Sequence, residues 1–371
     1  MNIKRVGSLA AIAMVGVIAL SACASNESST PASSSSSSAG SSASSAPVSG
    51  TINGIGSSAQ GVAETTWAAG FQQANPDATV NYDPQGSGAG RTSFISGAAN
   101  FAGSDAALST TELASTFQSC AAGGKGIDLP VYISPIGIAF NVSGVTSLTL
   151  DASTIAGIFK GDIKTWDDAA IKKLNPDAKL PSAAITVVHR SDDSGTTFNF
   201  TQYLASQATS TWTAPASQTF PYSVGDAAKG TSGVADAVKN ATNSITYIDE
   251  SGAGTLPIAK LVVGGTATTI SAKGAAAVVA KSPLETGRAA NDLAINIDRT
   301  ASAKGDWPMV LVSYLITCDT YKDSAVGTEV KAFAGYAASD AGQQAAAEQA
   351  KSAPLTSTLA ADVAKAVATI K

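Results

Sequence analysis

Histidine is almost absent from this chain: His189 is the only one among 371 residues, and cysteine occurs three times. A Ser-His-Asp mechanism would have to use His189, which lies on a predicted strand beside Arg190, with no nucleophile elbow nearby. The histidine and the cysteines do not form a cluster with the spacing of metal ligands. These absences argue against a triad hydrolase and against a metal or other cofactor. They favour a structural role for His189.

Charged side chains are also scarce. They make up 14% of the chain, against 44% hydrophobic residues, so the chain can bury substantial cores. Lys and Arg number 23 and Asp and Glu number 28, which gives a formal net charge of −5. An acidic protein is a poor binder of nucleic acid. Any anion that it binds must be held by local donors acting against the overall charge.

The apolar run at residues 9–20 is too short for a comfortable membrane span. Lys4 and Arg5 precede it, and it ends in Leu-Ser-Ala-Cys at residues 20–23, which is similar to the lipobox of bacterial lipoproteins. We therefore predict a signal peptide at residues 1–22 and lipidation of Cys23; a plain signal peptide with an incidental cysteine is the alternative. Residues 23–50 are rich in Ser and Ala and predict a flexible tether. Together these segments predict anchoring at the outer face of the cytoplasmic membrane.

The first part of the folded region alternates predicted strands, at residues 51–55, 80–82 and 101–103, with predicted helices. This pattern is typical of βαβ units and a largely parallel sheet. The strands lead into Ser58, Ser87 and Asp105, which should gather at the carboxyl edge of the sheet, where such folds bind ligands. The glycine-rich turns lack both the P-loop pattern and the full dinucleotide fingerprint, which disfavours nucleotide binding.

A second candidate ligand-binding segment follows the β-branched run at residues 185–189. Arg190 offers a planar fork of donors to an oxyanion, and Asp192 is placed to hold that fork by a salt link. Asp193 or Ser194 can cap a new helix whose first amides, at Gly195 and Thr196, would favour an anion. Taken alone, the stretch fits an ordinary turn with a surface ion pair equally well.

The remaining chain predicts further elements and one disulfide. A capping box at residues 109–112 predicts a helix that reaches Cys120. Once Cys23 is set aside, Cys120 and Cys318 are the only cysteines, and an oxidising exterior favours their pairing. The chain must then leave one lobe and return to it. Other predicted elements are strands at 131–142, 244–248 and 307–317, helices at 151–159, 166–174 and 233–240, and a helical C-terminal region broken near Pro354.

Four segments, considered together, resemble the phosphate-binding subunit (PstS) of bacterial ABC phosphate importers. They are Gly54-Ile55-Gly56-Ser57-Ser58, Gly86-Ser87-Gly88-Ala89-Gly90, Phe101-Ala102-Gly103-Ser104-Asp105 and residues 190–198, Arg-Ser-Asp-Asp-Ser-Gly-Thr-Thr-Phe, in the family's order and spacing. The resemblance covers residues 51–371. It implies an α/β, type II periplasmic-binding-protein fold with two lobes joined by a two-crossover hinge and the ligand in the cleft. The implied lobes are residues 51–133 with 312–371, and residues 134–311.

The resemblance also implies a set of ligand contacts. Asp105 would face the ligand from one lobe, and Asp192 would orient Arg190 in the other. Ala59 stands where the family usually has phenylalanine, which leaves only its main-chain N–H as a contact. The full implied set is Ser58, Ala59, Ser87, Asp105, Arg190, Asp192, Ser194, Gly195 and Thr196.

The implied function is capture of inorganic phosphate, without catalysis, by a monomeric lipoprotein that delivers it to an ABC-type permease. An ionised Asp105 can accept the hydrogen that phosphate retains near neutral pH, whereas sulfate has no hydrogen to donate. Three alternatives remain open: another tetrahedral oxyanion as ligand, a secreted phosphatase-like enzyme, and an adhesin or sensor on the same scaffold.

Overall fold

The computed structural model of the chain describes residues 48–371. The predicted signal peptide, the lipidation site Cys23 and nearly all of the predicted tether lie outside the described residues. Between residues 48 and 371, no helix has both the length and the apolar character needed to cross a bilayer.

The described chain begins with alternating strands and helices, as the sequence predicts. Helix α1 (Gly61–Ala74) buries one face, made of Ala63, Trp67 and Phe71, because these residues recur every four positions. Helix α2 (Ser87–Ser96) is terminated by its C-cap Gly97, whose φ of 78° is the left-handed conformation that favours glycine. The elements are β1 (Gly50–Gly56), α1 (Gly61–Ala74), β2 (Ala78–Asp83), α2 (Ser87–Ser96) and β3 (Phe101–Ser104).

The middle of the chain corrects two predictions. The capping box between Ser109 and Glu112 is present, but its helix is a single turn and does not reach Cys120. The helix predicted at 166–174 begins only at Ala169; Trp166 is a buried residue whose indole Nε1 donates to the Asn243 carbonyl at 3.1 Å. The elements are α3 (Thr110–Leu113), β4 (Gly126–Asn141), β5 (Thr149–Leu150), α4 (Ala152–Lys160), α5 (Ala169–Leu174), β6 (Thr186–Arg190), α6 (Gly195–Gln207), β7 (Asp226–Ala228), α7 (Gly230–Asn240) and β8 (Ser244–Asp249).

The last part of the chain supplies one buried strand and the C-terminal helices. The predicted strand at 307–317 is observed as β11, and the helical region is interrupted around Pro354, as expected. A short 3₁₀ turn, Glu250–Ala253, follows β8. The elements are β9 (Lys260–Val263), β10 (Thr266–Thr268), α8 (Ala272–Val279), β11 (Val310–Cys318), α9 (Ser324–Ala338), α10 (Asp340–Ala350) and α11 (Ser357–Ala368).

Eight strands form one mixed sheet in the order β2-β1-β3-β11-β4-β8-β6-β7. Strands β1, β2 and β3 pair in parallel, as the βαβ pattern predicts, but the sheet as a whole is mixed because β11 runs antiparallel to both β3 and β4. β4 changes its partner along its length: residues up to Pro135 pair with β11, and residues from Ile136 pair with β8. The single strand β4 therefore joins the half of the sheet that contains β11 to the half that contains β8.

The predicted disulfide between Cys120 and Cys318 is confirmed. The two Cα atoms are 5.3 Å apart, and the bond joins positions separated by 198 residues. Both cysteines are buried. The bridge holds the end of β11 against the chain that follows α3, so the C-terminal part returns to the region built by the first strands.

Candidate functional site

Arg190 ends strand β6 with its side chain 3% exposed and paired with Asp192. The guanidinium Nε donates to Asp192 Oδ1 at 2.7 Å, and Nη2 donates to Oδ2. Burial by itself would raise the pKa of Asp192, but the hydrogen bonds and charge of Arg190 outweigh it and hold that pKa below its ordinary value. The pair is therefore ionised, and it fixes the plane of the guanidinium for a ligand on its other edge.

The start of α6 lies next to this pair. Ser194 is the N-cap, and its hydroxyl accepts from the Thr197 N–H at 3.1 Å. Tyr247 links the two elements, since its hydroxyl accepts from the Arg190 N–H at 3.2 Å and lies 2.7 Å from Thr197 Oγ1. First-turn amides such as those of Gly195 and Thr196 have no acceptor within their own helix, and the helix dipole makes such a position favourable for an anion.

Asp105 follows strand β3 and is 3% exposed. Its Oδ1 accepts from Ser313 Oγ at 2.8 Å, and its Oδ2 accepts from Thr196 Oγ1 at 3.3 Å. Burial raises the pKa of Asp105, while hydrogen bonds from Ser57 and Ser313 and the positive charge of Arg190 act in the opposite direction. A buried carboxyl thus lies within electrostatic reach of a buried guanidinium, a combination typical of functional sites.

The segments that carry Ser87 and Asp105 lie in close contact with the start of α6. A Cβ added at Gly195 would lie 2.6 Å from Asp105 Cβ and 2.6 Å from Ser87 Oγ. The Ser87 hydroxyl accepts from the Asp105 N–H at 3.1 Å, and the Gly88 N–H donates to the Asp193 carbonyl at 3.0 Å. Segments about one hundred residues apart in sequence therefore enclose one buried region, as the motif positions suggested.

Two residues of the sequence-derived set have other partners here. The Ser58 hydroxyl lies 3.0 Å from Thr231 Oγ1 and accepts from the Thr231 N–H at 3.0 Å. It lines an open cavity of about 920 Å³ together with Tyr82 and Lys229. Ala59 is buried, and its N–H donates to Ser57 Oγ at 3.2 Å. The first loop thus places Ser57, rather than Ser58, against Asp105.

Sequence reasoning missed three polar side chains near Asp105. Ser313 donates to its carboxylate, and the nearby hydroxyl of Ser57 acts to lower the pKa of Asp105. Asn199 donates to the Asp105 carbonyl at 2.6 Å from the second turn of α6. Ser313 carried a usable signal, because it is a polar residue within the apolar strand β11. Asn199 gave none, since one polar residue in a helix is ordinary.

The surroundings of the site contain a small cavity and, among the described residues, no metal-binding cluster. A cavity of about 50 Å³ beside Asp105 is lined by Asn199, Gln202 and Tyr314, among others. Among residues 48–371, no group of three His, Cys, Asp or Glu side chains is arranged to hold a metal ion. His189 stacks on Phe220 with ring centroids 4.2 Å apart, so it serves as a packed aromatic side chain.

The chain is similar in sequence to a known superfamily and to named phosphate-binding proteins. Residues 41–341 match the model of a PBP superfamily domain. The chain is 37% identical over 339 residues to phosphate-binding protein PstS 3 of Mycobacterium tuberculosis, covering 90% of each chain. It is 34% identical over 377 residues to PstS 2 of the same organism, covering 99% of each.

Solved structures show the same fold. A high-affinity periplasmic phosphate-binding protein, PfluDING, determined with phosphate bound, aligns with a TM-score of 0.70 and 25% identity over 85% of this chain and 93% of its own. A putative phosphate ABC transporter substrate-binding protein from Clostridium perfringens aligns with a TM-score of 0.55 at 19% identity, over 81% and 98% of the two chains, which supports the fold alone. The chain has a type II periplasmic-binding-protein fold and belongs to the PstS family of phosphate-binding proteins within the PBP superfamily.

Proposed function

We propose that this protein captures inorganic phosphate outside the cytoplasm and delivers it to an ABC-type phosphate permease. The observation that carries the proposal is the buried approach of Asp105 to the Arg190 pair and the start of α6. The names of the relatives, all phosphate-binding proteins, support the same ligand. We propose binding without turnover, so phosphomonoesters should not be hydrolysed.

The proposed ligand contacts come from two sides of the buried region. Arg190, Ser194, Gly195 and Thr196 supply a guanidinium, hydroxyls and first-turn amides on one side, with Asp192 orienting the guanidinium. Ser87, Ser58 and the Ala59 N–H are proposed donors on the other side. Ser58 and Ala59 would have to give up their present partners, Thr231 and Ser57, to reach the ligand. Each hydrogen bond to a charged ligand contributes about 1.5–3 kcal/mol.

Asp105 is the proposed selectivity residue. Phosphate near neutral pH carries at least one P–OH hydrogen, which an ionised carboxylate can accept. Sulfate has no hydrogen to donate, so the same carboxylate would meet a like charge with no hydrogen bond between them. The difference amounts to several kcal/mol and should separate the two anions strongly.

We further propose two lobes, residues 51–133 with 312–371 and residues 134–311, that close around the ligand. The change of partner within β4 at Pro135 and Ile136 supports a boundary close to this division. Contacts such as that of Gly88 N–H with the Asp193 carbonyl would form on closure. The protein would act as a monomer, anchored to the outer face of the cytoplasmic membrane through lipid on Cys23.

Titration calorimetry of the purified protein with phosphate and with sulfate tests the proposal. We expect phosphate to bind with sub-micromolar affinity and sulfate to give no measurable heat under the same conditions. Absence of phosphate binding, or equal affinity for sulfate, would reject it. Metabolic labelling with a radioactive fatty acid, compared between the native chain and Cys23→Ser, tests the anchor.

A further inference from the structure

Arg299 is a buried cation behind the proposed anion site. It lies between α8 and β11 and is 4% exposed. Its Nε and Nη2 donate to Gln202 Oε1 at 3.1 and 2.9 Å, and Nη1 donates to the carbonyls of Pro308 at 3.0 Å and Val310 at 2.5 Å. Nη2 also donates to Asn199 Oδ1. All of these acceptors are neutral oxygens.

The charge of Arg299 has no carboxylate partner within residues 48–371. The other arginines with largely buried side chains differ, since Arg91, Arg190 and Arg288 each form a salt bridge with an acidic residue. Burial lowers the pKa of Arg299 to about 9. A charge withdrawn from water in this way is costly unless an opposite charge comes close.

Asn199 connects this cation to the site. Its side-chain nitrogen donates to the Asp105 carbonyl at 2.6 Å and to the Gly195 carbonyl at 2.9 Å, while its oxygen accepts from Arg299. Arg299 thus stands two hydrogen bonds behind the residue proposed to accept the ligand hydrogen and behind the first residue of α6. The amide of Asn199 also holds these two segments together.

We propose that Arg299 is a second cation of the anion site, a positioning residue that acts through Asn199 and makes the site favour a doubly charged anion over a singly charged one. The proposal rests on the proposed function. Arg190 is partly neutralised by Asp192, whereas Arg299 forms no salt bridge among residues 48–371, so its charge is available to attract the ligand. Because the Coulomb energy scales with the ligand charge, the second negative charge of a dianion should gain about as much as the first.

The other ionisable groups around Arg299 keep the same charge at both pH values, so they do not obscure the effect of the ligand charge on affinity. Tyr203 of α6 and Tyr314 of β11 face it, and burial raises the pKa of both, so they stay neutral. The neighbouring Asp298 has a pKa held low by hydrogen bonds from Thr300, so it stays ionised. Asp105 and Arg190 also face the ligand, and the comparison below keeps both in every variant.

The decisive variant is Gln202→Glu, which changes one atom and places a carboxylate opposite the Arg299 guanidinium. Phosphate affinity is measured calorimetrically at about pH 5.5, where the ligand is mainly a monoanion, and at about pH 8, where it is mainly a dianion and Arg299 is still mostly protonated. We expect the variant to weaken binding about tenfold at the lower pH and about a hundredfold at the higher pH. Arg299→Met, which removes the charge outright, should show the same pH-dependent loss. Thermal unfolding at both pH values verifies that each variant is folded.

Two matched controls separate charge from contact. Gln202→Met loses the hydrogen bonds to Arg299 without adding charge, so any loss of phosphate affinity should be the same fold-change at both pH values. Gln73→Glu adds the same charge at an exposed position of α1 and should behave like the native protein. The inference fails if Gln202→Glu and Gln202→Met lose affinity equally at both pH values. If the native protein binds no phosphate at either pH, the proposed function itself fails, which is a separate outcome.

Discussion

Asp105 is a carboxylate buried inside a proposed anion site, and its amide analogue offers the sharpest test at the scale of single residues. Asp105→Asn removes the charge that repels sulfate and weakens the acceptor for the phosphate hydrogen. We expect the ratio of phosphate to sulfate affinity to fall at least about tenfold, because a hydrogen bond to a charged group contributes about 1.5–3 kcal/mol. Competitive calorimetry with both anions measures this ratio.

Asp249→Asn is the control for that experiment. Asp249 is also fully buried, but it ends strand β8 and accepts from Ser134 and from the Ser251 N–H at 3.0 Å. Its conversion to an amide should leave the phosphate-to-sulfate ratio unchanged. An unchanged ratio in Asp105→Asn as well would remove Asp105 from its proposed role.

Asp249 also predicts a pH dependence of stability. Burial raises its pKa from the ordinary value of 3.8 to about 7. The folded protein therefore holds this proton more tightly than the unfolded chain does. The resulting stabilisation is complete below about pH 4 and is lost as the pH rises through about 7, a change of up to about 4 kcal/mol.

Urea unfolding of the native protein and of Asp249→Asn at about pH 4 and pH 8 measures this effect. The free energy of unfolding of the native protein, relative to the variant, should decrease between the two pH values. A pH-independent difference would mean that Asp249 keeps one ionisation state throughout.

Some residues of the proposed site could be predicted from the sequence, and others could not. The positions of Ser87, Asp105, Arg190 and Ser194 could be predicted, because each lies at or just after the end of a strand or at the start of a helix, where local rules apply. Asn199 and Arg299 could not, since their importance comes from contacts between positions 94 and 100 residues apart. Ser57 and Ser58 are neighbours in one turn, and sequence alone does not determine which of them turns toward Asp105.

At the scale of elements, Gly195, the first residue of α6, packs closely against the segments that carry Ser87 and Asp105. Gly195→Ala would place a Cβ 2.6 Å from both Asp105 Cβ and Ser87 Oγ, distances that folded proteins do not tolerate. We expect phosphate affinity to fall more than tenfold, because the two sides could no longer approach. Calorimetry measures the loss, and circular dichroism verifies that α6 still forms.

Gly335→Ala is the matched control in another helix, α9. The added Cβ would have Val367 Cγ1 as its neighbour at 3.8 Å, an ordinary contact. Alanine is favoured over glycine inside a helix, so this variant should be stabilised by about 0.5–1 kcal/mol with unchanged phosphate affinity. Equal affinities in the two variants would contradict the proposed role of the close contact at Gly195.

Elements were predictable where local signals agreed with the fold. Helices α4 and α6 form where the sequence predicts them, with Asp151 and, of the two candidates Asp193 and Ser194, Ser194 as the N-caps. The single-turn α3 and the late start of α5 escaped prediction, because tertiary contacts decide where a short helix ends. Pro135 lies within β4, at the point where the strand changes partners, so its missing N–H does not interrupt either ladder.

For the whole molecule, we expect the disulfide to contribute to the free energy of unfolding without affecting phosphate binding. The Cys120–Cys318 bridge closes a separation of 198 residues, which restricts the unfolded chain strongly. We expect the double variant Cys120→Ser, Cys318→Ser to lose about 2–5 kcal/mol of unfolding free energy. Urea unfolding with and without a reductant measures it: reductant should destabilise the native protein and leave the variant unaffected.

Phosphate affinity of the same double variant should stay within about twofold of the native value, since neither cysteine contacts a proposed ligand residue. A large loss of affinity would show that the bridge also sets the geometry of the site. The pairing itself was predictable from the number of cysteines. The mixed sheet order was not, because the antiparallel placement of β11 between β3 and β4 depends on how distant segments assemble.

The unbroken course of β4 limits how the proposed closure can occur. With hydrogen bonds to β11 before Pro135 and to β8 after it, the strand can flex only over the few residues at that junction, while each flanking ladder moves as a block. A fluorescent donor on one block and an acceptor on the other would then turn each binding event into a change in energy transfer. The protein could in this way serve as a reagentless optical sensor whose labels never touch the anion.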